Sequence, residues 1–219
     1  EHAVAAMIEQ HFAPLLVGQD PSRISYLWQQ MRRFFWWRGG IVESSAASGI
    51  EQALWDITGK LYGQPVYKLL GGAVRDAVRL YARTDLGLPT HGDEARAAIE
   101  EGFDAFKYGP GQHVVPFDDE KQVDEALAIS REVRENTGPA CDLMIDCGGI
   151  FSLQAAHRLI DSLREVRMLF VEEPVNMDTP RGLVELRQAF PDIRIAAGER
   201  QMTRWVFREW LEQGAVDVI

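Results

Sequence analysis

The sequence predicts an α/β fold, an incomplete (β/α)8 barrel of the TIM type preceded by a helical segment. Three observations carry this. Short apolar runs, Leu143-Met144-Ile145, Phe170-Val171 and Ile195-Ala196-Ala197-Gly198, each end in a carboxylate: Asp146, Glu172 and Glu199. These acids lie 26 and then 27 residues apart, which is one strand, one helix and two loops each time, the repeat of a parallel sheet. From residue 78 onward strand and helix candidates alternate strictly, whereas before it only helices read clearly.

Composition sets the outer bounds. At 219 residues, 46% hydrophobic and 26% charged, the chain is long enough for a sizeable core and has the make-up of an ordinary globular protein. A formal charge of −10 argues against nucleic acid as a partner, because phosphate binding needs a basic face. It leaves an anionic small molecule open, since a bound cation inverts the local field. Two cysteines, Cys141 and Cys147, make no disulfide framework and no metal-ligand spacing, so a reducing cytoplasm is the expected setting. Cys147 reads as a small buried hydrophobe rather than a nucleophile. No apolar run reaches membrane-spanning length and the start lacks signal-peptide blocks, so no membrane partner is expected. Glu1-His2-Ala3-Val4 reads as the middle of a helix, from which we expect the chain to begin inside a larger protein.

In chain order, Val4, Met7, Ile8 and Phe12 stand at helical spacing, and Gly18-Gln19-Asp20-Pro21-Ser22 breaks the helix. A second helix is predicted over 23–33, started by Pro21 or Ser22. The cluster Phe34-Phe35-Trp36-Trp37-Arg38 before Gly39-Gly40 serves either packing or recognition of a polar ligand, with Trp37 and Arg38 the candidates for substrate contact. A strong helix over 45–61 carries Ile50, Ala53, Leu54, Ile57 and Leu61 on its apolar face and ends at Gly63. A short helix over 66–70 stops at Gly71-Gly72. A domain boundary therefore falls between 75 and 78, giving residues 1–77 and 78–219.

Beyond it, strands are predicted over 78–82, 105–108, 143–146, 168–172, 193–198 and 216–219, with helices over 93–101, 118–135, 153–163, 181–190 and 203–213. No glycine-rich phosphate fingerprint follows the first strand, which favours a barrel over an open nucleotide-binding sheet. The run from 78 to 219 holds 142 residues and six strands, against about 250 residues for a usual barrel. The expectation is a barrel short of two βα units.

If successive strands lie side by side, the three acids converge at neighbouring carboxyl ends. Like charges there repel and raise one another's pKa unless a cation sits between them. Oxygen-only ligation suits a hard ion, and Mg²⁺ is the first choice. Each acid taken singly could instead cap a helix or pair in a loop. Glu172 and Glu173 are adjacent, and strand alternation sends them to opposite sides, so the residues alone leave open which one is the ligand.

The sequence resembles the enolase superfamily, specifically the mandelate racemase and muconate lactonizing enzyme family and its galactonate dehydratase-like branch. The motifs that carry this are Gly18-Gln19-Asp20-Pro21-Ser22-Arg23-Ile24, Arg38-Gly39-Gly40, Gly49-Ile50-Glu51-Gln52-Ala53-Leu54-Trp55-Asp56-Ile57-Thr58-Gly59-Lys60, Gln64-Pro65, Leu69-Leu70-Gly71-Gly72 and the three acid-bearing strands. The resemblance implies that residues 1–77 are the helical part of an α+β capping domain and that 78–219 are the first six βα units of the barrel. It implies Asp146, Glu172 and Glu199 as Mg²⁺ ligands, with Glu173 a structural partner.

The implied activity is that of a Mg²⁺-dependent acid-sugar dehydratase, a hydro-lyase. The proton beside the substrate carboxylate is removed, the metal stabilises the resulting enediolate, and loss of the neighbouring hydroxyl gives a 2-keto-3-deoxy acid. Lys107, at the end of the second strand, is the implied catalytic residue, as base or as a cation near the substrate carboxylate. Arg200, beside Glu199, is the expected substrate contact together with Trp37 and Arg38, ahead of Arg204. His113 is a further candidate for the mouth of the barrel. The family's His base belongs to a seventh strand beyond Ile219. The sequence departs from the branch at Gly148, where galactonate dehydratases carry a His two residues after the first ligand. A racemase or cycloisomerase of the same superfamily, or a silent homologue or fragment, are the alternatives. A small-molecule sugar acid and a homo-oligomeric assembly are the expected partners.

Overall fold

The computed structural model describes residues 1–34, 36, 38–84, 87–111 and 119–219. It divides into two compact units, Glu1–Val78 and Arg79–Ile219. Among the described residues no helix is long and apolar enough to cross a membrane.

The first unit is helical: α1 (His2–Met7), a π-helical turn (Ile8–Phe12), α2 (Ala13–Leu16), α3 (Ile24–Phe34), α4 (Ile41–Tyr62) and α5 (Val66–Leu69). The first helical run continues past Pro14 to Leu16, with the π-helical turn immediately before the proline. α4 starts four residues earlier than its apolar pattern indicates. Glu43 reaches back to accept the Gly39 N–H at 2.6 Å, satisfying a free donor just before the helix. At the other end Gly63 adopts φ 61 and closes the helix with N–H bonds to Gly59 and Lys60. The core consists of Phe12, Met31, Ala46 and Ala47, with Ile24, Leu27 and Leu54 as a second cluster. The predicted apolar face of α4 is only partly used. Leu54 is buried, but Ile57 and Leu61 are exposed, because the two apolar clusters of this unit take up α4 at Ala46, Ala47, Ile50, Leu54 and Trp55.

The second unit alternates β1 (Ala82–Arg83), α6 (His91–Glu100), β2 (Ala105–Tyr108), α7 (Asp119–Thr137), β3 (Asp142–Asp146), α8 (Leu153–Leu163), β4 (Met168–Glu172), α9 (Arg181–Ala189), β5 (Ile195–Ala196) and α10 (Thr203–Gln213). All five strands are parallel and lie in sequence order. Helix starts follow local chemistry: the Thr90 hydroxyl accepts the Asp93 N–H at 3.1 Å, and the Ser152 hydroxyl accepts the Ala155 N–H at 3.2 Å.

Three predicted strands differ, the fifth, expected over 193–198, being only Ile195–Ala196. The first is two residues long rather than 78–82, and the residues before it are exposed, so they have no ladder partner to extend it. The sixth, over 216–219, is a single bridge between Ala196 and Val218. Asp217 is the reason: its Oδ2 accepts the Ile195 N–H at 3.0 Å, so a side chain takes a donor that a regular ladder would give to backbone.

Alternation along the strands assigns their two faces. Phe106, Tyr108, Leu143, Ile145, Val171 and Ile195 pack into the core shared with Ala155, Leu159, Leu163, Leu183, Leu186 and Trp210 of the helices. Lys107, Met144, Asp146 and Glu172 therefore point to the opposite, inner face. That face lies at the carboxyl ends of the strands, where barrels carry their chemistry.

At the other end of the sheet Arg134 of α7 ties the loops together. It donates to the carbonyls of Val166 (2.9 Å), Gly138 (2.6 Å), Cys141 (2.8 Å) and Arg167 (3.1 Å). Arg134→Met leaves these acceptors without their donor, and we expect a loss of about 3 kcal/mol. By thermal denaturation this corresponds to a midpoint lower by roughly 6–12 °C for the second unit.

Candidate metal centre

The register of the sheet builds the centre. Asp146 pairs directly with Glu172 across β3 and β4, and Glu172 pairs with Ala196 across β4 and β5, three residues before Glu199. Paired residues of parallel strands project to the same side, so the first two acids emerge together and the loop after β5 brings the third. One carboxylate oxygen from each of Asp146, Glu172 and Glu199 lies within 4.8 Å of the other two. The all-oxygen donor set suits a hard divalent ion in chemistry. Asp146 is further held by the Gly148 N–H, which donates to its Oδ1 at 3.2 Å.

Lys107 stands among these acids. Its Nζ donates to Glu172 Oε2 at 2.8 Å and lies 3.4 Å from Asp146 Oδ2. Tyr81, which the sequence gave no reason to single out, places its ring centroid 5.7 Å from the same nitrogen, within reach of a cation–π contact. Burial by itself pushes the Lys107 ammonium down. The hydrogen bond to Glu172 and the charges of Glu172 and Asp146 together outweigh it and hold the pKa above that of an ordinary lysine.

Glu172 and Glu173 part company at the strand end. Glu173 leaves the extended conformation with φ 44, is fully buried, and has no hydrogen bond to either carboxylate oxygen. Its nearest cation is Arg200, whose Nε lies 3.4 Å from Oε2. Burial pushes the Glu173 carboxyl above the usual range, with Arg200 pulling against it. Arg200 also donates from Nη1 to the Gly148 carbonyl at 2.7 Å and sits 3.7 Å from Glu199 Oε1. Arg200 is therefore at the centre, engaged with protein oxygens.

Of the remaining candidates, Trp37 and His113 lie outside the described residues. Arg38 is exposed and belongs to the first unit, immediately before the glycine pair that starts α4. Arg204 stacks on Trp205, its guanidinium carbon 4.7 Å from the ring centroid. Cys147 is buried, and burial followed by the charges of Asp146 and Glu172 pushes its thiol well up, so it stays protonated and unreactive.

Comparison with known proteins follows the same division of the chain. Residues 1–71 match the mandelate racemase/muconate lactonizing enzyme N-terminal domain, and residues 91–219 match the enolase C-terminal domain-like family. The chain belongs to the mandelate racemase/muconate lactonizing enzyme family of the enolase superfamily. It is 41% identical over 205 residues to a D-galactonate dehydratase of Ralstonia pickettii (strain 12J), a match covering 93% of this chain and 53% of that protein. It is 38% identical over 220 residues to a D-galactonate dehydratase of Verminephrobacter eiseniae (strain EF01-2), covering 100% of this chain and 57% of that one. Among solved structures it superposes on a mandelate racemase/muconate lactonizing enzyme-like protein from Rubrobacter xylanophilus DSM 9941. The TM-score is 0.83 and the identity 34%, over 99% of this chain and 61% of the other. The chain thus spans somewhat more than half the length of these relatives, and its five-stranded parallel sheet is part of a barrel.

A lysine whose pKa is raised on folding contributes stability that is fully present below about pH 10.5 and is lost as the pH rises through the folded value. Lys107→Met removes both the contribution and its alkaline limb. In metal-free buffer we expect the variant to melt below the parent at pH 7–9, and the gap between them to close above about pH 10.5.

Proposed function

We propose that this chain carries the metal-binding face of an acid-sugar dehydratase, with Asp146, Glu172 and Glu199 holding a Mg²⁺ ion. The single observation behind this reading is the convergence of the three carboxylate oxygens within 4.8 Å at the ends of adjacent parallel strands. Membership of the enolase superfamily and 38–41% identity to proteins named D-galactonate dehydratase support the choice of chemistry. A bound Mg²⁺ supplies Lewis-acid stabilisation of the negative charge that builds up on the substrate carboxylate as the adjacent C–H bond breaks.

The protein's own groups do the rest. Asp146 and Glu172 are preorganised by the sheet register, and Asp146 by the Gly148 N–H as well. Lys107, in contact with both, is the catalytic residue at the substrate's reacting end, where its Nζ either pairs with the carboxylate or exchanges the α proton. Arg200 supplies a polar contact for the hydroxyl-bearing remainder of the substrate. Loss of the hydroxyl next to the deprotonated carbon, as water, gives a 2-keto-3-deoxy acid. Gly148 has no side chain to protonate that hydroxyl, so the acid is another group or a water, and the sugar acid turned over need not be galactonate. The substrate is a small molecule, and the functional form is a homo-oligomer in the cytoplasm.

The test is turnover of a sugar-acid panel by the purified full-length protein with Mg²⁺, the keto product being trapped with semicarbazide. Glu172→Gln is expected to lower turnover by about 10³-fold, a loss typical of removing one transition-state contact. In the parent, Mg²⁺ at 100 times its Kd should stabilise the fold by about 2.7 kcal/mol, and that gain should vanish in Glu172→Gln. Turnover that survives Glu172→Gln contradicts the metal assignment. Exchange of the α hydrogen with solvent without keto acid formation points to a racemase instead.

A further inference from the structure

We propose that Arg200 is a positioning residue, a guanidinium strut that ties the loop after β3 to the loop after β5 and so fixes Glu199 opposite Asp146 and Glu172. The proposal rests on the metal-site reading above and adds to it a residue that acts through the ligands.

Three contacts define the strut. Nη1 donates to the Gly148 carbonyl at 2.7 Å, while Nε faces Glu199 Oε1 at 3.7 Å and Glu173 Oε2 at 3.4 Å. Gly148 in turn gives its N–H to Asp146 Oδ1 at 3.2 Å. Arg200 therefore bears on two of the three carboxylates, one at the end of β3 and one in the loop after β5, and β3 and β5 do not pair with each other.

Its seat is built for it. A Cβ on Gly149 would come 3.2 Å from Nη1, and a Cβ on Gly148 would come 3.4 Å from Nη2, so two consecutive glycines leave the space that the guanidinium fills. Beneath it lies Glu173, fully buried with no hydrogen bond to either oxygen. The backbone of Glu173 is fixed by its N–H to the Ala196 carbonyl at 2.9 Å and by the Gly149 N–H to its own carbonyl at 2.7 Å. A buried carboxylate with no hydrogen bond of normal geometry, helped only by the pull of the Gly198 N–H, demands a cation, and Arg200 is the one that reaches it among the described residues. The buried acid thus anchors the arginine, and the arginine spans the two loops.

Electrostatics alone predicts the opposite effect on a metal. A fixed cation a few ångströms from a ligand repels a divalent ion, so removing it should tighten binding. Arg200 helps binding only if the geometry it imposes outweighs that repulsion. This separates positioning from charge.

The experiment measures Mg²⁺ affinity by isothermal titration calorimetry, with a thermal midpoint for each protein, on the parent, Arg200→Met, Arg200→Lys and the double variant Arg200→Met/Glu173→Gln. In Arg200→Met the Mg²⁺ Kd is expected to rise about tenfold or more, the scale seen when a group orienting a ligand is removed. Arg200→Lys, which keeps the charge but not the fork, recovers only part of the affinity. The double variant no longer buries an uncompensated charge, so its midpoint returns toward the parent while its Mg²⁺ affinity stays low. Should Arg200→Met, or the double variant where the single one does not fold, bind Mg²⁺ as tightly as the parent or more tightly, the positioning role is overturned and the metal reading stands. A parent protein that binds no Mg²⁺ overturns the metal reading and this inference with it.

Discussion

Three carboxylates emerging at neighbouring strand ends are the constraint on which the second unit depends. Two like charges 4 Å apart repel by about 4 kcal/mol at the effective dielectric of a protein surface, and a cluster multiplies the pairs. A parallel sheet cannot avoid the encounter once the acids sit at the same register, because paired residues project to one side. The fold tolerates the cluster because cations are arranged around it. Lys107 comes from the neighbouring strand on the same face, and Arg200 from the loop that carries Glu199. The acids and their counter-charges are one unit, and the inner face of the sheet is organised around it.

Much of this was legible in the sequence. The strands ending at Asp146 and Glu172 are short apolar runs, and their lengths agree with the structure because β3 and β4 each have a neighbour on either side. The helices Leu153–Leu163 and Thr203–Gln213 follow directly from apolar spacing and local stop signals. The misses share a cause. The first and last strands depend on what pairs with them, and apolar residues such as Val78 and Leu80 look like strand whether or not a ladder forms. Along α4, Ile57 and Leu61 continue the helical period of Leu54, but a period says nothing about where neighbouring helices end. In the site, Lys107 could be placed at a strand end from its position. Its contact with both Asp146 and Glu172 could not, because that depends on a register that slips by one residue between Leu143 and Met144.

Gly148 shows how a missing side chain can be part of a site. Its φ of 57 lies in the left-handed region, which His tolerates at some cost, so conformation alone does not demand glycine. The guanidinium of Arg200 limits what can extend beyond a Cβ there, since its Nη2 already stands at ordinary contact distance from where that Cβ would be. A histidine at 148 would have to share that space with Arg200 or turn away from it. The small residue at 148 and the place of Arg200 are therefore two sides of one contact. Glu173 completes the reasoning. Directly after Glu172 in sequence, it is turned by one left-handed residue from the open inner face into a dry pocket, where its charge is compensated by the same arginine. Two adjacent glutamates of identical chemistry thus divide into one group open to a ligand and one that anchors the neighbouring loop, and backbone conformation alone makes the difference.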